Sequence, residues 1–422
     1  MKKLRIACSL LLIAGLGVVF GSQTRAQDSP AAAHGKRVLD LLVQDKFDDV
    51  AKEFNAKMAA ALPAAQLATV WTTIRQQVGA FRAVNAANVT TPAAGVSLVT
   101  MVCQFEKSLV NVIVAFDAED KIAGLRLVPL PPPSEPSTPP GLSSFSEETV
   151  AVGSGDWVLP GTLSLPLGKI AGAIVLVHGS GPHDRDETIG PNKPFRDLAW
   201  GLADRGVAVL RYEKRTRRYA GKVSNPGNFT VRDEVIEDAL QAVAVLRKQA
   251  RIDPKRIVVL GHSLGGTVAP RIAAEDRSLA GLIIMAGTTR PLMDVAREQL
   301  AYLESLKPGT IDQDQALAMM RRSAPDSYWK DFDAYKPAEA AAKLTIPMLI
   351  LQGERDYQVT LADLQGWRDA LHDRLNVTIK SYPTLNHLFL PGDGKSTPAE
   401  YERAGRIPEF VLDDIANWMK AR

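Results

Sequence analysis

Cysteine is scarce in this sequence: only Cys8 and Cys103 occur among its 422 residues. Cys8 lies in an N-terminal segment that has the layout of a secretory signal, which leaves Cys103 alone in the mature chain. A single cysteine excludes an internal disulfide. The apolar neighbours of Cys103 in LVTMVCQF predict a buried thiol rather than a nucleophile.

That N-terminal segment, residues 1–26, begins with MKKLR, continues through the apolar LLIAGLGVVFG and reaches small residues at Thr24 and Ala26. The order of charged, apolar and small residues is typical of a cleaved secretory signal. Its apolar core is short for a membrane span. We therefore expect export to the periplasm or the medium, and no stable membrane span once the signal is removed.

An excess of charge of one sign is also lacking. Lys and Arg number 50 against 47 Asp and Glu, and segment 1–26 holds four of the basic residues, which leaves 46 against 47. A near-neutral chain does not suggest nucleic-acid binding, which requires a clustered basic surface. No metal-ligand spacing, phosphate loop or dinucleotide fingerprint occurs in the sequence, so it predicts neither a metal nor another cofactor.

Proline is concentrated in PLPPPSEPSTPPG and predicts a linker at 129–144. Before it, helical patterns over 36–60 and 63–81 precede three strand-like segments, GVSLVTMVCQF, SLVNVIVAFD and IAGLRLVPL, with a DAEDK turn between the last two. We expect a small α+β domain at 27–128, which resembles by layout the nuclear-transport-factor-like domains. Contact with an oligomer partner or the cell envelope is its expected role.

Beyond the linker, at 145–422, strands alternate with helices. ETVAVGSGDWVLPGTLSLP predicts a hairpin, and AGAIVLVHGSG, GVAVLRYE, RIVVLGHS, LAGLIIMAG, IPMLILQGE and NVTIKSYP predict further strands. Their continuous apolar runs indicate an α/β fold with a mostly parallel sheet, helices on both faces and a site at the carboxyl ends of the strands.

Helical patterns over about 287–342 predict a cap above that site. Four of its side chains are candidates for the wall of an apolar pocket, with packing inside the cap as the alternative: Met319, Met320, Tyr328 and Trp329.

The strand IVVL ends in Gly261-His262-Ser263-Leu264-Gly265, which fits the nucleophile-elbow pattern G-x-S-x-G. The two glycines let neighbouring backbone approach closely, so that the serine occupies the apex of a sharp strand-to-helix turn. The pattern alone is weak, and an inert serine in a tight turn is the alternative. The preceding strand and the following helical pattern favour a nucleophile.

A serine nucleophile needs a base, and the sequence has only six histidines. His387 lies in SYPTLNHLFLPG after the last predicted strand, where the order Ser, Asp, His expects the base. A histidine with a purely structural role in its loop is the alternative. Of the other five, His34 lies in the first domain, His178 and His183 lie in the first glycine-rich turn, and His372 lies in a helix. His262 lies in the elbow itself, and we expect its ring to point away from the serine.

The carboxylate that orients the base should follow a strand between Ser263 and His387. IPMLILQGERDYQV places Asp356 three residues after Gly353, with Glu354 as the second candidate. A solvated loop charge is the alternative for either residue. In this role the acid holds the imidazole tautomer and stabilises the imidazolium.

Stabilisation of an oxyanion needs two backbone N–H donors. Leu264, which directly follows the serine at the start of a helix, is the first candidate. The second donor should come from the glycine-rich VHGSGPHDRDE, where Ser180 is the first choice and Gly181 the next.

Taken together, HGSGPHDRDE, NKPFRDLAWGLADRGVAVLRYEKR, GHSLGG, LQGERDYQV and NHLF resemble the α/β-hydrolase superfamily over about 145–420. They are similar to bacterial serine esterases related to acyl-thioesterase and dienelactone-hydrolase-like enzymes. The resemblance implies an α/β-hydrolase fold and a serine hydrolase that cleaves small-molecule carboxylic esters through an acyl-enzyme.

Other functions stay open at this point. A thioesterase or a peptidase would use the same residues. A different class is a non-catalytic periplasmic binding protein that has kept the fold, although intact serine, acid and histidine candidates count against it. Arg215, Arg217 and Arg218 in KRTRRYAGK could attract an anionic substrate, with a solvated loop as the alternative.

Overall fold

The computed structural model describes the chain in five stretches, 30–93, 95–106, 109–129, 144–219 and 229–421. The signal predicted at 1–26 and nearly all of the linker predicted at 129–144 lie outside the described residues. The chain divides into a smaller unit that ends at Ser137 and a larger unit that begins at Thr138.

Four helices precede an antiparallel sheet in the smaller unit, and the sheet has the order β1-β2-β3-β4. Three of these strands were predicted. The additional strand, β1, has too many alanine, asparagine and threonine residues to form an apolar run. The elements are α1 (Pro30–Val43), α2 (Phe47–Lys52), α3 (Ala56–Ala61), α4 (Ala64–Val78), β1 (Phe81–Ala93), β2 (Val96–Phe105), β3 (Leu109–Phe116) and β4 (Ile122–Pro129).

The core of the smaller unit forms where alternate side chains of β2 and β3 meet the helices. Val112 and Val114 of β3 are fully buried, as is Cys103 of β2, and they pack with Leu42 and Trp71 of the helices. Burial raises the pKa of the Cys103 thiol to about 12. The thiol is therefore protonated at neutral pH and does not act as a nucleophile.

The larger unit is built on an eight-stranded sheet with the order β12-β11-β10-β9-β7-β8-β6-β5. The six strands from β12 to β8 in this order are parallel, and β6 and β5 extend the sheet with antiparallel pairs. The strands are β5 (Phe145–Val152), β6 (Leu159–Pro166), β7 (Gly172–Val177), β8 (Val207–Tyr212), β9 (Ile257–His262), β10 (Gly281–Met285), β11 (Met348–Gly353) and β12 (Val377–Tyr382).

Helices cover both faces of this sheet, which explains the continuous apolar runs. Ile174 and Val258 point into one buried cluster, whereas the next residues along the same strands, Val175 and Val259, point into the other. The helices are α5 (Pro194–Asp204), α6 (Arg215–Arg218), α7 (Glu237–Arg247), α8 (Leu264–Glu275), α13 (Leu361–Leu371) and α14 (Glu409–Lys420).

Four helices between β10 and β11 occupy the segment predicted to form a cap, namely α9 (Leu292–Leu306), α10 (Gln313–Arg322), α11 (Asp326–Ala334) and α12 (Pro337–Ala342). Within the described stretches, no helix has both the length and the apolar character that crossing a bilayer requires.

A buried carboxylate holds the segment that leads from β10 into these cap helices. Asp363 of α13 is completely buried, and its side chain accepts hydrogen bonds from the Thr288 hydroxyl at 2.6 Å and the Thr289 N–H at 3.0 Å. The Arg290 guanidinium lies 2.8 Å from the same carboxylate and 2.7 Å from Glu298, whose side chain is 40% exposed.

We expect Asp363→Asn to lower the free energy of unfolding by about 2–3 kcal/mol, because it removes the charge from a buried acceptor of several hydrogen bonds. Glu298→Gln is the matched control, since it removes the exposed partner of the same arginine and should cost about 1 kcal/mol or less. Urea unfolding of both variants measures the difference. Equal losses would contradict a role for Asp363 as the anchor.

Candidate active site

Ser263 occupies the apex of a sharp turn between β9 and α8. Its backbone has φ 53° and ψ −116°, a conformation that residues other than glycine rarely adopt. The Ser263 N–H donates to the Met285 carbonyl at 2.9 Å, and the Ser263 carbonyl accepts from the Thr267 N–H at 2.8 Å. These bonds hold the serine in its strained conformation.

The glycines of the elbow are required by close backbone contacts. A Cβ atom on Gly261 would lie 2.2 Å from the Gly265 carbonyl oxygen, and one on Gly265 would lie 2.1 Å from the Val177 carbonyl oxygen. Since real Cβ atoms never approach backbone so closely, a side chain at either position would displace α8 from the sheet.

His387 and Asp356 form a buried pair beside this turn. His387 lies in the loop after β12, and its Nδ1 is 2.7 Å from Asp356 Oδ2. Neither residue is more than 4% exposed. His387 lines the same cavity as Ser263, so the structure brings together the three residues chosen from the sequence.

Asp356 is fixed by further hydrogen bonds to its carboxylate. Its Oδ1 accepts from the backbone N–H groups of Gln358 at 2.7 Å and Val359 at 3.1 Å. The side-chain amide of Gln352 donates to Oδ2 at 3.2 Å. The second candidate, Glu354, is exposed and accepts instead from the Ser381 hydroxyl at 2.7 Å.

The two backbone N–H groups expected to stabilise an oxyanion belong to residues of this cavity, Leu264 and Ser180. No hydrogen bond within the described stretches engages either N–H. A Cβ on Gly179 would lie 3.2 Å from Ser263 Cβ, which places the glycine-rich turn directly against the serine. The next choice, Gly181, is absent from the cavity wall.

A second buried acid–histidine pair lies next to the first. Glu187 Oε1 accepts from the Gly179 N–H at 2.6 Å, and Glu187 Oε2 forms an ion pair with His262 Nδ1 at 2.9 Å. The other ring nitrogen of His262, Nε2, is 2.9 Å from the His387 carbonyl oxygen. Each ring nitrogen therefore lies 2.9 Å from an oxygen atom, an arrangement that favours the protonated ring.

The charges of this pair stabilise each other despite burial. Burial opposes ionisation of Glu187, but the charge and hydrogen bond of His262 and the charges of His183 and His178 together outweigh it and lower the pKa of the carboxyl to about 2. Burial likewise disfavours the charged imidazole, but the charge and hydrogen bond of Glu187, the His387 carbonyl and the Asp356 charge together outweigh it and raise the pKa of His262.

The expectation that His262 points away from the serine is therefore wrong in part. Its ring centroid lies 4.8 Å from that of His387, and the ring lines the same cavity. The ion pair with Glu187 and the hydrogen bond to the His387 carbonyl engage both ring nitrogens, which makes His262 a poor candidate for the base. Sequence reasoning assigned no role to Glu187; its place in HGSGPHDRDE, close to the glycine turn, was the available signal.

Two of the remaining histidines hold the loop after β7, and one of these, His183, also lines the cavity. His178 Nε2 donates to the Asp184 carbonyl at 3.0 Å, and burial lowers the pKa of His178 to about 3. His183 Nε2 donates to the Ser180 carbonyl at 2.6 Å. His372 is exposed, and His34 belongs to the smaller unit.

The cavity in front of Ser263 has a volume of about 110 Å³. Met320 lines it, whereas Met319 is 58% exposed, and Tyr328 and Trp329 pack in the buried core rather than in its wall. Apolar side chains of the cap form one side: Leu292, Val295, Ala296, Met320 and Phe332.

The arginines of KRTRRYAGK do not line this cavity. Arg215 is buried in an ion pair with Asp238 at 2.5 Å, so a solvated loop does not describe it either. Arg217 lies 3.3 Å from Glu213, and its side chain is half exposed. Among the described residues, no group of three or more His, Cys, Asp or Glu side chains is placed to hold a metal ion.

The Glu187–His262 pair predicts a pH window for stability. Glu187 stabilises the fold above its unfolded pKa near 4.5, and this is lost as pH falls through about 2. His262 stabilises it fully below its unfolded pKa near 6.5, and this is lost as pH rises through the raised folded pKa.

We therefore expect the double variant Glu187→Gln/His262→Gln to be most destabilised, relative to wild type, between about pH 4.5 and 6.5. Urea unfolding at a series of pH values measures this difference. The exposed His372→Gln is the control and should show no such window. A constant difference across pH would contradict the charged state of the pair.

Comparisons with known proteins agree with this architecture. The family model described as "Prolyl oligopeptidase family" matches residues 197–407, and a model described as "Protein of unknown function (DUF3887)" matches residues 36–125. Esterase EstD of Thermotoga maritima is 38% identical over 398 residues, which are 90% of this chain and 92% of that esterase.

More distant similarities have lower identity. The uncharacterized peptidase YtmA of Bacillus subtilis is 21% identical over 48% of this chain and 70% of its own. The solved structure of the Pyrococcus furiosus esterase Pf2001 is 16% identical, with a TM-score of 0.46, and covers 66% of this chain and 91% of its own. The family model includes the elbow, the acid and the histidine loop, and the similarity to EstD extends over both units. The chain belongs to the prolyl oligopeptidase family of serine hydrolases with the α/β-hydrolase fold.

Proposed function

We propose that this hydrolase cleaves carboxylic esters with small acyl groups, using Ser263 as nucleophile, His387 as base and Asp356 as the orienting acid. The observation that carries the proposal is the strained Ser263 in one cavity with His387, whose Nδ1 Asp356 holds at 2.7 Å. The name of the relative EstD, an esterase, supports an ester as the substrate.

The geometry assigns a task to each group in the first half of the reaction. With Nδ1–H bonded to Asp356, the other nitrogen of His387 is free to accept the proton of the Ser263 hydroxyl. The serine oxygen attacks the ester carbonyl. The N–H groups of Leu264 and Ser180 then bind the oxyanion, and the positive end of α8 adds to its stabilisation.

In the second half of the reaction, His387 acts first as an acid and then again as a base. His387 gives its proton to the leaving alcohol, and the acyl group stays on Ser263. Water enters and attacks the acyl-enzyme while His387 takes one of its protons. The acid is released as the bond to Ser263 breaks, and His387 returns the proton to the serine oxygen. Asp356 keeps its orientation throughout because its carboxylate accepts three further hydrogen bonds.

The size of the cavity limits the acyl group. About 110 Å³ is well below the 300–1,000 Å³ of pockets that enclose drug-sized ligands. A peptidase is the second candidate, since the matching family model is named for oligopeptidases. The small cavity under the cap favours a compact ester over an extended peptide.

Labelling with a fluorophosphonate probe and hydrolysis of short p-nitrophenyl esters test this proposal. We expect wild type to label and turn over, and Ser263→Ala or His387→Ala to lose labelling and at least about 10³-fold in kcat. His372→Ala, an exposed histidine outside the site, is the control. Wild type that neither labels nor cleaves the esters would refute the proposal, and faster cleavage of matched p-nitroanilides would favour the peptidase.

Acyl selectivity provides a second test. Met320→Ala removes a side chain from the cavity wall, so it should raise kcat/KM for hexanoyl relative to acetyl esters by about tenfold. Met319→Ala truncates the neighbouring, exposed methionine and should leave the ratio unchanged. Equal ratios in the two variants would show that Met320 does not limit the acyl chain.

A further inference from the structure

A buried cation lies behind the turn that contains Gly179 and Ser180. Lys214 Nζ is 2.7 Å from the Gly179 carbonyl oxygen and 2.6 Å from Glu234 Oε1, and the lysine side chain is only 3% exposed. The backbone N–H of Lys214 donates to the His183 carbonyl at 3.1 Å. Lys214 therefore holds the glycine-rich turn at both ends.

The contact to Gly179 sets the direction of the next N–H group. The described chain contains no cis peptide bond, and in a trans peptide the C=O and the following N–H point in opposite directions. The ammonium draws the Gly179 C=O to its own side, so the Ser180 N–H faces the other way. Ser180 lines the cavity with Ser263, which places this N–H where an oxyanion would form.

The same contact strengthens that N–H as a donor. A cation bound to a peptide oxygen draws electron density from the peptide and increases the positive charge on its N–H. Because Lys214 and Glu234 are both buried, water does not screen the interaction as it would at the surface.

Glu234 is itself held in place for this contact. It lies in the π-helical turn Arg232–Ile236 that precedes α7, and such turns often occur at functional sites. Burial, the Glu234 charge and a hydrogen bond between the two side chains raise the pKa of Tyr328 in α11 well above its ordinary value. The Glu234 carboxylate thus has Lys214 as one partner and Tyr328 of the cap as another.

We propose that Lys214 is a positioning residue of the hydrolase, whose ammonium orients and polarises the Gly179–Ser180 peptide so that the Ser180 N–H stabilises the oxyanion. The inference rests on the proposed ester cleavage by Ser263. It assigns Lys214 an effect on the transition state and none on the binding of the substrate.

The adjacent residue provides a matched control. Arg215 is also buried. It pairs with Asp238, which lies one turn after Glu234 in the same helical segment, but it does not contact the glycine-rich turn. Lys214→Met/Glu234→Gln and Arg215→Met/Asp238→Asn each neutralise one buried pair without leaving a lone charge.

Kinetics on a short p-nitrophenyl ester test the proposal. For the Lys214 variants we expect kcat to fall about 10–100-fold with KM changed less than about threefold, as for a weakened oxyanion donor. A trifluoromethyl ketone, which forms a tetrahedral adduct on the serine, should lose affinity by the same factor, and the matching alcohol should bind as before. The Arg215 control should keep kcat and the ketone affinity within about threefold of wild type.

Three outcomes would overturn the inference. The first is an unchanged kcat in the Lys214→Met/Glu234→Gln variant, and the second is an equal loss in the Arg215 control. The third is a ketone affinity that follows the alcohol rather than kcat. Lys214→Met alone leaves Glu234 as a lone buried charge and is the more drastic change. If this single variant does not fold, the double variant decides the test. A wild type without turnover or labelling would refute the proposed function itself, and this inference with it.

Discussion

The positive φ angle of Ser263 is the constraint on which the rest of the site depends. An L-residue in this conformation costs about 1–3 kcal/mol, and it persists only where the surrounding structure leaves no alternative. Here the alternative is removed by the Gly261–Gly265 contact inside the turn and by the bond from Ser263 to Met285. The turn places Ser263 between the end of β9 and the first residue of α8, Leu264.

Buried charge surrounds this turn and connects loops that leave different strands. Glu187 and His262 link the glycine-rich turn to the histidine loop, and Lys214 links that turn to the segment before α7. Buried ion pairs are weak contributors to stability compared with apolar packing. In this protein they fix the backbone of Gly179 and of His387 beside Ser263.

The sequence contained enough to place the serine, the acid and the histidine, because each follows a strand in an order that a parallel sheet brings to one edge. The sequence did not reveal which residues pair with the buried charges. Lys214 and Glu234 are 20 residues apart on separate elements, and no local pattern pairs them. The spacing after Gly353 favoured Asp356 over Glu354, but the loop hydrogen bonds that fix the Asp356 carboxylate are not visible in the sequence. The signal segment and the place of the protein in the cell remain predictions.

The position of the cap in the strand order has a consequence for how this enzyme can diversify. β10 and β11 are neighbours in the sheet, so the cap is topologically a long loop between adjacent strands. The closure entropy of a loop rises slowly with length, by about 0.6 kcal/mol per doubling. Ser263, Asp356 and His387 all lie outside the insertion. A lineage can therefore lengthen, shorten or exchange the cap, and with it one wall of the cavity, while Ser263, Asp356 and His387 are inherited unchanged.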